Sequence, residues 1–335
     1  MEQKFIPKET LKALLAQLLS DGHRVLAPVE ADNGKLSFER VSSADSISLK
    51  HVQTTQSVKK VAFPRTEKLF SYAKQQGKLE LSDYDADALP PTIVFGLHPC
   101  DAAGFAPLSA IFNWDVSDLP FNERMKRTTL ITLSCTAADE YCFCTSVGGH
   151  PGSASGSDML LTPLADGYLV EVATDKGQQL AERYASLLQP APANASKDAA
   201  LAEVSVRFNL DELKKKMATM FGSEAWLTQS SRCIGCGSCA FVCPTCACFD
   251  VQENARTLSH GDRLRCWDSC GLSLFTLHTS GHNPRPTQHA RWRQRLMHKF
   301  AYMPQRLGVH GCTGCGRCSR ACPVDMNLAE HLASV

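Results

Sequence analysis

The sequence predicts an α/β domain over residues 1–188, a linker over residues 189–205 and a mainly helical, cysteine-rich domain over residues 206–335. In the first part, short apolar runs alternate with segments of helical periodicity, which is the pattern of strand–helix–strand units. In the last part, closely spaced cysteines dominate. Between the two, the run QPAPANASKDAA interrupts the periodicity with Pro, Ala, Asn and Ser, as a linker does.

Individual elements of the α/β domain follow from apolar patterning. Helical spacing of Leu and Ala predicts helices, and compact apolar or alternating runs predict strands. The strand at 91–97, the helix at 102–112 and the strand at 127–135 form a strand–helix–strand unit, so the two strands are expected to be parallel. The other predicted elements are a helix at 9–20, strands at 23–30, 35–41 and 167–174, a helix at 175–188 and a helix at 209–231.

Composition and charge exclude several classes of protein. The 35 Lys and Arg residues balance the 34 Asp and Glu residues, which gives no support to a nucleic-acid-binding protein. No apolar run approaches the roughly twenty residues of a membrane span, and the N-terminal stretch lacks the apolar core of a secretory signal. We therefore expect a soluble cytoplasmic protein, in which sixteen cysteines suit metal binding better than disulfides.

One cysteine motif occurs twice, with the spacing C-x-x-C-x-x-C-x-x-x-C-P. Three thiolates at steps of three can bind three corners of one [4Fe–4S] cube, whereas the fourth cysteine binds the other cluster in two-cluster proteins. Glycines within both motifs let the backbone pass close to a cluster. The spacing therefore predicts two [4Fe–4S] clusters in a ferredoxin-like fold with an insertion between the motifs. The predicted ligands are Cys233, Cys236, Cys239 and Cys322 for the first cluster, and Cys312, Cys315, Cys318 and Cys243 for the second.

Zinc is the alternative metal, because paired C-x-x-C elements also build structural zinc sites. Zinc requires only two such pairs per ion. Nothing in its chemistry asks for a third cysteine at the same step or for Cys-Pro at a fixed offset. The spacing favours clusters, and a zinc-binding assembly scaffold, which would be colourless, stays open as the alternative.

The insertion between Cys243 and Cys312 is about seventy residues long and contains further cysteines. Together they could supply four thiolates to another metal centre. Alternatively they are compact buried thiols that pack beside the clusters, as free cysteines do. No standard ligand spacing supports the first interpretation, so we expect the second. The residues concerned are Cys246, Cys248, Cys266 and Cys270.

The α/β domain offers a third set of cysteines. Cys100 follows the predicted strand at 91–97, and Cys135 ends the strand at 127–135. If these strands are parallel, both thiols emerge at one carboxyl edge, where open α/β sheets bind ligands. Cys142 and Cys144 follow closely enough to fold over the same edge. The four thiolates could hold a third [4Fe–4S] cluster, with Asp101 as an oxygen substitute, or they could be turn and loop cysteines at a subunit contact.

Several of these motifs together resemble one protein family. The runs CIGCGSCAFVCPTCACFDV, RCWDSC, HARWRQRLMHKFAY and GCTGCGRCSRACPVD, with GLHPCDAAGF and DEYCFCTSVGG, are similar to the A-type subunits of anaerobic sulfite reductases and to sulfhydrogenase beta subunits over residues 91–326. The resemblance implies an iron–sulfur electron-relay subunit. It would work between a flavin-bearing, NAD(P)H-oxidising subunit and a catalytic subunit, which is a siroheme sulfite reductase or a nickel–iron hydrogenase.

The chain shows no dinucleotide-binding motif of its own. Neither G-x-G-x-x-G after a strand nor a Walker-type loop occurs, so the flavin is expected on a partner subunit. The glycine-rich run at 146–158 is typical of a mobile surface loop, although it could line a partner's flavin. Two other functions stay open: a catalytic iron–sulfur subunit that reduces a sulfur compound directly, and the zinc scaffold.

Basic and aromatic residues interleave from His282 to Arg306. We expect a docking surface, or an amphipathic helix whose apolar side packs on the cluster domain while its guanidinium groups stay in solvent. Guanidinium donors could also raise a cluster's reduction potential. The basic residues are Arg285, Arg291, Arg293, Arg295, Lys299 and Arg306, and the apolar side is formed by Trp292, Leu296, Phe300 and the Lys299 stem.

Overall fold

The computed structural model describes residues 2–335, which form two β-sheets and a set of mostly short helices. The strands are β1 (Glu2–Pro7), β2 (Arg24–Glu30), β3 (Leu36–Arg40), β4 (Thr66–Gln75), β5 (Lys78–Ser82), β6 (Thr92–Leu97), β7 (Thr128–Leu133), β8 (Met159–Pro163), β9 (Gly167–Val172), β10 (Gln189–Pro190), β11 (Phe249–Ala255) and β12 (His260–Trp267).

Helices in the first half are α1 (Lys8–Ser20), α2 (Pro99–Ala102), α3 (Phe105–Phe112), α4 (Leu119–Lys126) and α5 (Asp175–Arg183). Those in the second half are α6 (Leu210–Thr219), α7 (Ala225–Ser230), α8 (Ser238–Phe241), α9 (Gln288–Met297), α10 (Met303–Leu307), α11 (Arg317–Arg320) and α12 (Leu328–Ala333). A π-helical turn, His298–Tyr302, joins α9 to α10.

The larger sheet has eight strands in the order β10-β1-β9-β8-β7-β6-β2-β3. Its middle strands β2, β6, β7 and β8 are parallel, and the strands at both edges are antiparallel. The prediction that 91–97 and 127–135 form parallel neighbours is confirmed, because Val94 of β6 pairs with Leu130 of β7. The carboxyl ends of these two strands therefore lie at one edge of the sheet.

Helices cover both faces of this sheet, as expected for an α/β domain. On one face, Leu14 and Leu18 of α1 and Leu180 of α5 pack against buried side chains of the central strands. On the other face, Leu108 of α3 and Phe121 of α4 form a second apolar core. A third core, built around Trp292 and other side chains of the second half, lies under the cysteine loops.

The smaller sheet was not predicted, and it has the order β11-β12-β4-β5. It joins a hairpin of the first half to a hairpin within the insertion, so the second half is not only helical. Arg265 of β12 forms ion pairs with Glu67 of β4 and with Asp118 before α4, and these pairs hold the two hairpins together. The period-2 signal of a strand is weak in this sheet, because β4 (TEKLFSYAKQ) and β12 (HGDRLRCW) do not alternate strictly between apolar and polar residues.

Two details differ from the sequence-based expectations. The helix predicted over 209–231 is interrupted between α6 and α7, where Gly222 lies and the indole nitrogen of Trp226 donates to the Met220 carbonyl at 2.7 Å. The predicted linker begins with β10, which pairs with β1. Among residues 2–335, no helix combines the length and the apolar character needed to cross a membrane.

Candidate iron–sulfur centres

The two ferredoxin-type motifs fold into similar loops. In each, a glycine with positive φ precedes a one-turn helix: Gly237 (φ 75°) before α8 and Gly316 (φ 69°) before α11. A second glycine with positive φ lies two residues earlier in each loop, at Gly235 and Gly314. This conformation is accessible to glycine at little cost, which explains why glycine occupies these positions in both motifs.

The first predicted ligand set lines one cavity. The side chains that surround it come from the first motif, from the end of the second motif and from α9. Cys236 at its rim is solvent-exposed. All four cysteines of the first predicted set line this cavity, together with one cysteine of the second set. These residues are Cys233, Cys236, Cys239 and Cys322 of the first set and Cys318 of the second.

The second predicted set is more deeply buried. Burial raises the pKa of Cys312 to about 12 and that of Cys315 to about 11, so both thiols keep their protons near neutral pH unless a metal displaces them. The ammonium group of Lys299 lies 3.4 Å from the sulfur of Cys243, the fourth member of the set. A hydrogen bond from Cys246, together with the Lys299 charge, holds the pKa of Cys243 well below its usual range.

Donors point at sulfur in both sets. The Gln288 side-chain amide lies 3.0 Å from the sulfur of Cys233, and the Met326 N–H lies 3.3 Å from that of Cys322. In the second set, the Gly314 N–H lies 3.5 Å from the sulfur of Cys312. Donors to sulfur stabilise the negative charge of a cluster and tune its potential. Cysteine sulfurs around a cavity, with N–H donors behind them, fit an iron–sulfur cluster.

The third predicted set also comes together. Cys100 lies in α2, directly after β6, and Cys135 follows β7, as the parallel strands require. Burial raises the pKa of Cys135, and the neighbouring charges of Cys144 and Cys142 raise it further. Burial and the charge of Asp101 raise the pKa of Cys100, to which the charges of Cys315 and Cys135 add.

The third set touches the second motif directly. A Cβ atom on Gly314 would lie 2.5 Å from the backbone nitrogen of Cys144, and one on Gly316 would lie 2.5 Å from the Tyr141 carbonyl oxygen. The Phe143 N–H donates to the Gly314 carbonyl at 2.9 Å. Glycine at 314 and 316 therefore lets the loop that carries Cys142 and Cys144 lie against the second cluster motif.

Asp101 has a different role from the one expected. Its carboxylate forms a bidentate ion pair with Arg317 of α11, with N–O distances of 2.6 and 2.8 Å, and both side chains are 1% exposed. Arg317 also donates to the Thr54 carbonyl at 3.0 Å. A carboxylate held by Arg317 in this way is not available as an oxygen ligand.

Within residues 2–335, no three His, Cys, Asp or Glu side chains surround a position for a single metal ion. A cube of four irons is bound instead by thiolates spread around the whole group. All sixteen cysteines are free of disulfide bonds.

Comparison with known proteins identifies the family. A family model for the 4Fe-4S dicluster domain matches residues 232–326, which contain both motifs. The chain is 30% identical over 323 residues to the sulfhydrogenase 2 subunit beta of Pyrococcus furiosus, a match that covers 95% of this chain and 93% of that protein. The chain belongs to the sulfhydrogenase beta subunit family. No solved structure matches it significantly. The predicted resemblance is confirmed, and the domain match supports [4Fe–4S] clusters over zinc.

The basic stretch of this family member is largely internal, which corrects the expectation of solvated guanidinium groups. Arg291, Arg295 and Lys299 are at most 9% exposed. The Arg295 guanidinium lies 3.5 Å from the sulfur of Cys246 and donates to the Cys239 carbonyl at 3.0 Å. Arg293 instead stacks on Phe221, 3.8 Å from the ring centre. The buried cations of α9 and the π-turn therefore face the thiols, and Arg293 does not.

The glycine-rich run at 146–158 is not a loose surface loop. Pro151 and Gly152 are buried, and the Pro151 carbonyl accepts a hydrogen bond from the Cys135 N–H at 2.9 Å. Asp158 accepts from the Leu130 N–H at 2.8 Å. Part of the run lines a cavity together with Cys100, Cys144 and Cys312. The run therefore covers the third cysteine set, which is why it is fixed.

Sequence reasoning missed two side chains at these centres. Lys59, from a short turn in the first half, donates to the Cys246 carbonyl at 2.8 Å and to the Ala240 carbonyl at 3.1 Å. Gln53 donates to the sulfur of Cys100 at 3.4 Å. Both lie far in sequence from the cysteines they reach, so no spacing rule could have found them.

Proposed function

We propose that this chain is an iron–sulfur electron-transfer subunit that relays electrons between a flavin-bearing, NAD(P)H-oxidising partner and a catalytic partner. The supporting observation is the contiguity of the three cysteine sets through the second motif. Cys318 lines the cavity of the first set. Phe143, which lies between Cys142 and Cys144 of the third set, donates its N–H to the Gly314 carbonyl of the second motif at 2.9 Å. Three adjacent centres form a continuous path for electrons.

Two [4Fe–4S] clusters are proposed at the ferredoxin-type sets, and these would supply one-electron redox chemistry. The family match to a dicluster domain and the cysteine-lined cavity support this part. A third cluster is proposed at the edge of the large sheet, where β6 and β7 end. The proposed ligands are Cys233, Cys236, Cys239 and Cys322; Cys312, Cys315, Cys318 and Cys243; and Cys100, Cys135, Cys142 and Cys144.

The protein's own contribution to relay is positioning and electrostatics, with no residue acting as acid, base or nucleophile. Burial of Cys243, Cys312 and Cys315 keeps water away from the second centre. Gln288 and Met326 donate to thiol sulfurs of the first centre. That centre also lies nearest to solvent, since Cys236 is exposed and the adjacent Ile234 is 64% exposed. We propose that a partner's redox group approaches at this point.

Two partners complete the proposal. The flavin belongs to a separate NAD(P)H-oxidising subunit, because this chain carries no dinucleotide motif. The catalytic partner is a hydrogenase or a siroheme sulfite reductase, and the name of the relative, sulfhydrogenase 2 subunit beta, supports the hydrogenase type. Sixteen free cysteines are suited to the reducing cytoplasm, where we place the complex.

The number of clusters is tested by metal analysis. Iron and acid-labile sulfide are measured on anaerobically purified protein and on the double variant Cys135→Ala, Cys144→Ala. We expect the variant to lose about four irons per chain, the content of one [4Fe–4S] cluster. An unchanged iron content in the variant would mean that the cysteines of the third set have only a structural role. A colourless protein with zinc in place of iron would establish the scaffold alternative.

The relay function is tested by comparing two electron donors. Electron paramagnetic resonance (EPR) monitors reduction of the clusters. NAD(P)H should reduce them only when the flavin subunit is present, whereas dithionite should reduce them in the isolated chain. Turnover of sulfite or polysulfide by the isolated chain with dithionite would contradict a pure relay and support the catalytic alternative.

A further inference from the structure

Three cysteines of the insertion line one cavity that belongs to none of the three sets above. Cys246 and Cys248 lie on the loop between α8 and β11, and Cys270 lies in the turn after β12. The Asp268 N–H donates to the Cys248 carbonyl at 3.0 Å, which holds the turn that carries Cys270 against the loop that carries Cys248.

Three cations surround these thiols without carboxylate partners. Lys59, Arg295 and Lys299 are each at most 4% exposed, and none forms an ion pair within residues 2–335. Arg295 contacts the sulfur of Cys246 at 3.5 Å, and Lys59 donates to the Cys246 carbonyl. Buried cations are costly unless an anion compensates them. Within residues 2–335, the neighbouring groups that can become anionic are cysteine thiols, which metal binding converts to thiolates. Cys243 and Cys239 of the ferredoxin-type sets face Lys299 and Arg295, and Cys246 faces all three cations.

The fourth cysteine of the insertion lies elsewhere. Cys266 is within β12, where it pairs with Thr66 of β4, and it does not line the cavity. Its neighbour Arg265 points into the aromatic core beside Phe63, and successive side chains of a strand point to opposite faces. The site therefore offers three thiolates. The rest of its wall includes Gln294, His298 and Arg285.

We propose that Cys246, Cys248 and Cys270 bind an additional [4Fe–4S] cluster whose fourth iron has a non-cysteine ligand. The three thiols lose their protons to solvent as they bind iron. The position favours a redox centre over zinc, because Arg295 contacts both Cys246 and the carbonyl of Cys239, a member of the first ferredoxin set. Nearby cations stabilise the added negative charge of a reduced cluster, whereas zinc is not redox-active.

The cavity beside the fourth iron is cationic. Arg285, Arg295 and Lys299 line it, so the exchangeable ligand expected there is a small anion or a solvent molecule. Binding of an exchangeable ligand at a cluster is a property that electron relay does not require. A cluster with four cysteine ligands cannot take up an external ligand without losing one of them.

The test compares matched cysteine variants in anaerobically purified full-length protein. Cys248→Ser and Cys270→Ser should each lose about four irons and four sulfides per chain, the content of one cluster. Cys266→Ser is the control on the same hairpin and should keep all of them. In both cavity variants, the EPR signals of the two ferredoxin-type clusters should persist, which separates local loss from unfolding.

A second measurement uses the unaltered protein. Cyanide should shift the EPR spectrum of one reduced cluster, and this shift should be absent in Cys248→Ser and present in Cys266→Ser. Unchanged iron in both cavity variants, loss of zinc instead of iron, or no cyanide effect on the wild-type spectrum would each overturn the proposal. None of these outcomes touches the relay function, which depends on the ferredoxin-type sets and is tested separately.

Discussion

Arg317 and Asp101 form a buried bidentate ion pair between two cysteine centres. Arg317 lies between Cys315 and Cys318 of the second motif, and Asp101 adjoins Cys100 of the third set. The pair connects α11 to α2, the short helix after β6, and these two elements are far apart in sequence. It therefore fixes the second motif against the edge of the large sheet, where the third set lies.

Replacing Arg317 with Ala should destabilise the protein strongly. The carboxylate of Asp101 would remain buried without its partner, and breaking one side of a buried pair costs about 3–5 kcal/mol. The loss of stability should appear in denaturant unfolding under anaerobic conditions, together with loss of iron from the third set. Arg183→Ala is the control, because its pair with Asp21 lies at the surface, where solvent screens the two charges, and its loss should change the stability little.

A double-variant cycle separates charge from packing. Asp101→Asn with Arg317→Gln removes both charges, and it should cost less than the sum of the two single changes. Additive losses would mean that the two side chains act independently, in contradiction to the ion pair.

Gly314→Ala should separate the second motif from the third set. The added Cβ would lie 2.5 Å from Cys144 backbone atoms, and the residue has a φ of 66°. Gly308→Ala is a matched control, since Gly308 has a φ of 68° and a Cβ atom added there would meet nothing within 4 Å. Backbone strain alone should lower the free energy of unfolding of the control variant by about 1–2 kcal/mol. Gly314→Ala should lower the free energy of unfolding by more than the control does, and it should also reduce the iron content. Equal losses of stability in the two variants would argue against the close approach of Gly314 to Cys144.

Lys299→Met should lower the reduction potential of the second cluster. Lys299 lies 3.4 Å from the sulfur of Cys243, and its positive charge favours the more negative, reduced state. A buried unit charge within several ångströms contributes about 2–4 kcal/mol at an effective dielectric constant near 20, so the shift should be on the order of 100 mV. Redox titration followed by EPR measures it. Arg306→Gln, at an exposed position, should leave the potential unchanged, and a rise in the Lys299 variant would contradict the argument.

The sequence allowed the strand–helix–strand unit to be predicted, together with the proximity of some cysteines, because both depend on local pattern. Apolar runs placed β6 and β7, and parallel pairing then brought Cys100 and Cys135 to one edge. The motif spacing likewise brought Cys322 to the cavity of Cys233.

The smaller sheet and the cavity in the insertion could not be predicted in the same way. They depend on long-range partners: β12 pairs with β4, and Lys59 reaches the carbonyl of Cys246. The C-x-C spacing of Cys246 and Cys248 resembles no standard ligand motif, so their convergence with Cys270 became visible only in the fold.

His51 should make the protein less stable in mild acid. Burial, aided by the charges of His98 and Arg317, lowers its pKa from 6.5 to about 3. The unfolded chain therefore binds a proton at this residue between pH 6.5 and about 3 while the folded chain does not, so stability falls as the pH decreases through this range. Each pH unit in that window costs up to about 1.4 kcal/mol for one such group. His51→Phe should flatten the acid side of a plot of unfolding free energy against pH, whereas His282→Gln, at an exposed position, should leave the slope unchanged. An equally steep acid limb in His51→Phe would mean that other groups dominate the titration.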